Sequence, residues 1–169
     1  MRTPTKSEKR ELKTLSKEIW AAAFTGDADS QAALGYMFSN GLGFQMNHVM
    51  ALRWNIKAAD SRHSEGCLHL GKHYAEGKGL PRDDEEAAWW FQQVVDLWQN
   101  SEAQYNLGLL YYKGIGVKQN TSEAKKWFQM ACNDGPETAK PHLHKVIRQN
   151  ARRKDVMDFL CRSRYLDID

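Results

Sequence analysis

Three sets of residues have types and spacings that could do chemistry. Cys67, His69 and His73 are close in sequence, and His69 and His73, at i and i+4, could share a helix face and chelate a metal. Zinc needs a fourth ligand of similar reach, and the next histidines, His142 and His144, lie far along the chain. The three residues therefore read as ordinary helix side chains, and no metal is expected. The acidic run Asp83-Asp84-Glu85-Glu86 could supply a general acid–base pair, but its place before an apolar helical pattern suits helix capping, where anions meet exposed N–H groups. The triplets Gly41-Leu42-Gly43, Gly77-Lys78-Gly79 and Gly114-Ile115-Gly116 could in principle cradle a phosphate. No strand pattern precedes them, so they read as helix-ending loops. A Gly-x-Ser-x-Gly elbow, a P-loop and a His-Glu-x-x-His helix are all missing from the sequence. The expectation is a protein without catalytic residues or cofactor.

The triplets recur because the whole segment around them recurs. Leu34-Gly35, Leu70-Gly71 and Leu107-Gly108 each precede a Gly-x-Gly by six residues, and Ala-x-x-Trp follows at Ala51–Trp54, Ala87–Trp90 and Ala124–Trp127. Each landmark steps by 36 and then 37 residues. A fixed period of that size marks stacked units, none of which buries its apolar face alone.

Each unit reads as two antiparallel helices. The first spans roughly 29–40, 64–76 and 101–113; in the third copy Ala103, Leu107, Leu110 and Tyr111 form one apolar stripe. The glycine inside that helix costs about 1 kcal/mol of propensity, so a close neighbour is expected there. The second helix starts near Asn47, Asp83/Asp84 and Asn120/Thr121, and its Ala admits the partner helix while its Trp fills the adjoining groove.

In these residues the chain resembles the Sel1-like repeat family, an α/α relative of tetratricopeptide repeats. The third copy is the fullest match, with Ala103, Leu107, Gly108, Tyr111, Gly114, Gly116, Val117, Ala124, Trp127 and Ala131. The first substitutes Phe38 and Phe44 for the pattern's Tyr and Val, and the second has Val94-Val95 in place of Ala-Ala and one extra residue in Leu97-Trp98-Gln99-Asn100. The resemblance implies an all-α, α/α solenoid of three helix-pair repeats with capping helices, acting as a non-enzymatic adaptor or scaffold. Its partner would be a protein or peptide segment held in the concave groove lined by the first helices. Carried over from the tetratricopeptide arrangement, groove positions fall three before the helix glycine and one, four and five after it. These are Ala32, Tyr36, Ser39 and Asn40; Leu68, Lys72, Ala75 and Glu76; and Tyr105, Leu109, Tyr112 and Lys113. The expected site is Tyr36, Asn40, Leu68, Lys72, Glu76, Tyr105, Leu109, Tyr112 and Lys113, an apolar-aromatic strip with a charged rim. Several of these tyrosines could equally pack between helices.

The organisation expected is a capping helix in 1–27, repeats at 28–63, 64–100 and 101–137, and a C-terminal capping helix with tail in 138–169. Ile19, Trp20, Ala23 and Phe24 give the N-terminal helix its apolar face, and Leu143 continues the leucine series beyond Pro141. Segment 155–169 is either a last packed helix or a detachable docking segment. Homodimerisation through that segment or through Leu97-Trp98 is a further alternative.

Charge is spread unevenly, with six basic against three acidic residues in 1–20, eight against four in 140–169, and an acidic middle. The basic ends, densest at Arg148, Arg152, Arg153 and Lys154, keep nucleic-acid binding as the alternative, though a net charge of +3 without a basic face argues against such a partner. A toxin- or effector-associated, immunity-like binding role is a second alternative. Three cysteines at wide spacing, Cys67, Cys132 and Cys161, do not build a disulfide framework. No signal-peptide-like stretch or membrane-length apolar run occurs. A cytoplasmic protein with no membrane span is expected.

Overall fold

The computed structural model describes residues 6–134 together with 139, 141, 143 and 144. The basic run at 148–154, Cys161 and segment 155–169 lie outside the described residues. Among the described residues there are seven α-helices and no strand. They are α1 (Lys6–Phe24), α2 (Ala28–Asn40), α3 (His48–Asp60), α4 (Ser64–Glu76), α5 (Asp84–Trp98), α6 (Ser101–Lys113) and α7 (Thr121–Asp134).

Local chemistry sets the boundaries in the same way three times. Asn47, Asp83 and Asn120 each accept two backbone N–H groups of the next helix through one side-chain oxygen, at 3.0–3.1 Å. At the other end of the loop, Gly41, Gly77 and Gly114 close α2, α4 and α6 with φ of 68°, 66° and 68°. A side chain pays a steric cost at that φ and glycine does not. The chain then turns back, and the N–H groups of Asn47, Asp83 and Asn120 bond the carbonyls of Phe38, Tyr74 and Tyr111.

The chain divides into two compact units, with the boundary between Gln99 and Asn100. In the first unit, α1 lies against α2, and α2 to α5 pack in chain order, with α2 also meeting α4. Its core at the α1 end holds Ala23, Leu34, Met37, Phe38, Ala51 and Trp54, with Trp20 and Phe44 packed against it. Trp20 meets the rings of Phe38, Phe44 and Trp54 at 5.6–5.9 Å, so α1 covers the first repeat's apolar face. In the second unit, α6 and α7 pack together, and Phe128, Ala131 and Cys132 form a core with Ala139 and Leu143.

The helix glycine does mark a close approach, and its neighbour is the residue after the Trp. A Cβ built on Gly71 would lie 2.8 Å from the Phe91 ring, and one on Gly108 would lie 2.6 Å from Phe128. In the first repeat the residue in that register is Asn55, whose Oδ1 would be 1.9 Å from a Cβ on Gly35. The alanines Ala51, Ala87 and Ala124 are fully buried, as a small residue at a helix contact should be. The extra residue of the second repeat lengthens α5 to 15 residues, ends it at Gln99 in the left-handed region (φ 52°), and leaves Leu97 58% exposed.

Candidate functional site

The first helices of the first two repeats, α2 and α4, border a cavity of about 210 Å³. Tyr36, Ser39 and Asn40 reach it from the last turns of α2, and His69, Lys72, His73 and Glu76 from α4. His48 enters from the start of α3, and Lys78 from the loop that ends α4. Helical spacing explains the set, because residues three and four apart share a face.

The cavity has a wall fixed from beneath by a buried polar chain. His73 is 5% exposed, and both its ring nitrogens are engaged. Nδ1 lies 2.6 Å from the Lys78 carbonyl, which can only accept, so Nδ1 carries the proton. Nε2 then accepts from Asn55 Nδ2 at 3.1 Å. Burial pushes the proton affinity of this imidazole below the ordinary histidine value, which keeps it neutral. The chain Asn55–His73–Lys78 thus crosses from α3 through α4 to the loop. A Cβ on Gly79 would lie 2.6 Å from the His48 carbonyl, so the same loop is seated on the start of α3.

Around the opening, Glu76 pairs with Lys78 at 2.6 Å, and Asn40 Nδ2 donates to the Tyr36 carbonyl at 2.8 Å. The Tyr36 and His69 rings are 6.0 Å apart, and His69 also faces Glu65. His48 Nδ1 is buried without a hydrogen-bond partner. Two ammonium groups, one carboxylate, three imidazoles and two hydroxyls make a lining rich in donors, suited to holding a polar or anionic group. A nucleophilic site is not assembled here: Cys67 is buried, and desolvation raises its thiol pKa, which disfavours the reactive thiolate. Among the described residues no three His, Cys, Asp or Glu side chains are grouped to hold a metal ion.

Of the nine expected site residues, the structure gathers Tyr36, Asn40, Lys72 and Glu76 around this cavity. Leu68 is a correction: it is 0% exposed and belongs to the core. It sits one turn before Gly71, on the side of α4 that abuts the second helix, and Ala32, in the same register of α2, is buried as well. In the second unit Tyr105, Leu109 and Tyr112 are partly buried against the cluster of Phe128, Cys132 and Leu143, and the Tyr105 ring is 5.9 Å from Phe128. That unit uses these side chains in its own packing, whereas Lys113 is exposed.

Sequence reasoning missed His48, Lys78 and Asn55, and read His73 only as an ordinary helix histidine. A signal was present in the comparison of copies: Asn55 stands where the later repeats have Phe91 and Phe128, and His73 where the others have Met37 and Leu110. Two apolar core positions, one in the second helix of the first repeat and one in the first helix of the second, turn polar together, and the structure shows the two side chains bonded.

A family model described as Sel1 repeat matches three times, over residues 28–63, 64–96 and 101–136. Similar solved structures include a Sel1 repeat protein from Oxalobacter formigenes, 25% identical with a TM-score of 0.69 over 86% of this chain and 62% of that one. A protective antigen of uropathogenic Escherichia coli with an SLR fold is 27% identical, with a TM-score of 0.72 over 85% of this chain and 30% of that one. Helicobacter pylori cysteine-rich protein B is 27% identical, with a TM-score of 0.58 over 79% of this chain and 95% of that one. The chain therefore spans less than two thirds of the length of the first two. No curated protein matches it. No helix among the described residues is long and apolar enough to cross a membrane.

Proposed function

The chain belongs to the Sel1 repeat family, whose members are generally non-enzymatic scaffolds for protein–protein interaction, and from that premise we propose that it is an adaptor that binds a segment of a partner protein across the first helices α2 and α4. The observation that carries this reading is the convergence of Tyr36, Asn40, Lys72 and Glu76, from two helices, on one open cavity. An exposed tyrosine (48% accessible at Tyr36) beside charged residues is the composition that binding surfaces favour. A cytoplasmic location accords with two buried free cysteines, Cys67 and Cys132.

The test is photo-crosslinking in the source cells with a crosslinking residue in place of Tyr36, and a control at the exposed Arg53 of α3. A defined protein crosslinked from position 36 and absent from position 53 is expected. No adduct from position 36, or the same adducts from both positions, would overturn the adaptor reading at this face.

A further inference from the structure

We infer that α5 carries a docking face of its own, on which the Trp89–Trp90 pair receives a lysine or arginine side chain from a basic segment of a partner protein. This face lies on a different helix from those that border the α2–α4 cavity, and it does not rest on the adaptor reading made there.

The other two repeats show what covers this tryptophan. In the first, the Lys57 ammonium lies 4.7 Å from the Trp54 ring centre, and in the third the Lys126 ammonium lies 5.2 Å from that of Trp127. Both distances fall within the roughly 6 Å over which a cation is attracted to an aromatic face. Lys57 stands three residues after its tryptophan and Lys126 one before. In the second repeat those registers hold Gln93 and Trp89, so neither supplies a cation to Trp90. Trp54 and Trp127 are buried, whereas Trp90 is only half-buried and Trp89 is 53% exposed. The two rings of the second repeat stand at right angles, with centres 4.9 Å apart. An indole pair open to solvent thus stands where its counterparts are capped by a lysine.

Charge fixes the sign of the occupant. α5 carries Asp84, Glu85, Glu86 and Asp96 and no basic residue, whereas α3 has Arg53 and Lys57, and α7 has Lys125 and Lys126. Asp84 is matched by Arg82 at 2.8 Å. Glu85 and Glu86 are exposed and precede Trp89 by four and three residues, which puts them on its face of the helix. Capping does not call for them: Asp83 caps α5, and the first repeat has Val49 and Met50 at the same registers. A basic segment would lay a cation on the indoles and set its charge beside the two carboxylates, while an acidic segment would be repelled. Exposed tryptophan is also the residue type in which binding hot spots are enriched.

The test is fluorescence anisotropy on the full chain with a labelled peptide alternating Arg and Gly, against counterparts carrying Gln or Glu in place of Arg. The Arg peptide should bind about tenfold more tightly than the Gln peptide, the size expected for a cation desolvated on an indole. Trp89→Gln should remove most of that preference and Trp89→Phe retain part of it. Gln93→Lys, which leaves both tryptophans in place and gives Trp90 the lysine that Trp54 has, should weaken the Arg peptide by competing for the ring. Glu85→Gln/Glu86→Gln should weaken it as well and flatten its dependence on salt. Equal affinity for the Arg and Gln peptides, no saturable binding of the Arg peptide, or a preference for the Glu peptide would overturn the assignment. So would full binding of the Arg peptide by a folded Trp89→Gln variant or by Gln93→Lys. A partner crosslinked from position 36 together with any of those results would leave the adaptor reading standing and this inference refuted.

Discussion

Asn55 Nδ2 donates to His73 Nε2 across 3.1 Å, and this one bond joins the second helix of the first repeat to the first helix of the second. The corresponding positions in the other repeats are apolar. The bond is buried from both sides, with Asn55 fully inaccessible, so each partner depends on the other for satisfaction.

Stability should therefore fall with acid in a window set by His73. Desolvation lowers its proton affinity; the Lys78 carbonyl and Glu76 act the other way, while His48 and the Lys78 charge add to the lowering. Below the ordinary value of 6.5 the unfolded chain takes up a proton that the native chain still refuses. The unfolded state then binds more protons, and stability declines as pH falls, levelling off below the native value. Denaturant midpoints measured from pH 8 to pH 5 should show this decline, and His73→Leu should flatten it. An equally steep profile in the Leu variant would contradict the assignment.

The two residues should be strongly coupled. Asn55→Ala leaves a buried imidazole nitrogen unpaired and should cost about 1–3 kcal/mol. In a double-mutant cycle with His73→Leu the interaction energy should be about 0.5–3 kcal/mol, as for residues sharing one hydrogen-bond network. Additivity within error would show that the bond contributes nothing to stability.

The helix glycines make a prediction opposite to helix propensity. Alanine is intrinsically favoured over glycine by about 1 kcal/mol in a helix. Yet at Gly71 and Gly108 the added methyl would press on Phe91 at 2.8 Å and on Phe128 at 2.6 Å. Gly71→Ala and Gly108→Ala should destabilise by about 1–3 kcal/mol, the usual penalty of overpacking. Adding Phe91→Leu to Gly71→Ala should recover part of the loss. Thermal unfolding of the three variants checks this.

Leu68 and Tyr36 separate core from surface within the expected site. Leu68→Ala should cost about 2–5 kcal/mol, because a buried leucine leaves a cavity. Tyr36→Ala should shift stability by about 0.5 kcal/mol or less, as exposed substitutions do. Chemical denaturation distinguishes them, and comparable losses would show that Tyr36 is structural.

These contrasts show which parts of the molecule the sequence made legible. Helix ends were readable at Asn47, Asp83 and Asn120 and at Gly41, Gly77 and Gly114 because capping is local and uses few residue types. The face a first helix turns to its neighbours was harder. Each such helix in the first unit meets both its own second helix and another first helix, so the position three before the glycine becomes core at Leu68, while the position one after it stays open at Tyr36. The aromatic positions of α6 were read as a binding strip or as packing between helices, and they lie partly buried against a local core that includes Leu143. Periodicity sees spacing and residue type, and it does not see which of two packed sides is covered. The polar pair was the least legible part. It requires comparing copies at equal register, and knowing that two substituted positions 18 residues apart touch.

The most direct test of the account is the photo-crosslink from position 36, with Arg53 on the exposed face of α3 as the control. One defined protein captured from position 36 and not from position 53 is the predicted result. No adduct from position 36, or the same adducts from both positions, would contradict it.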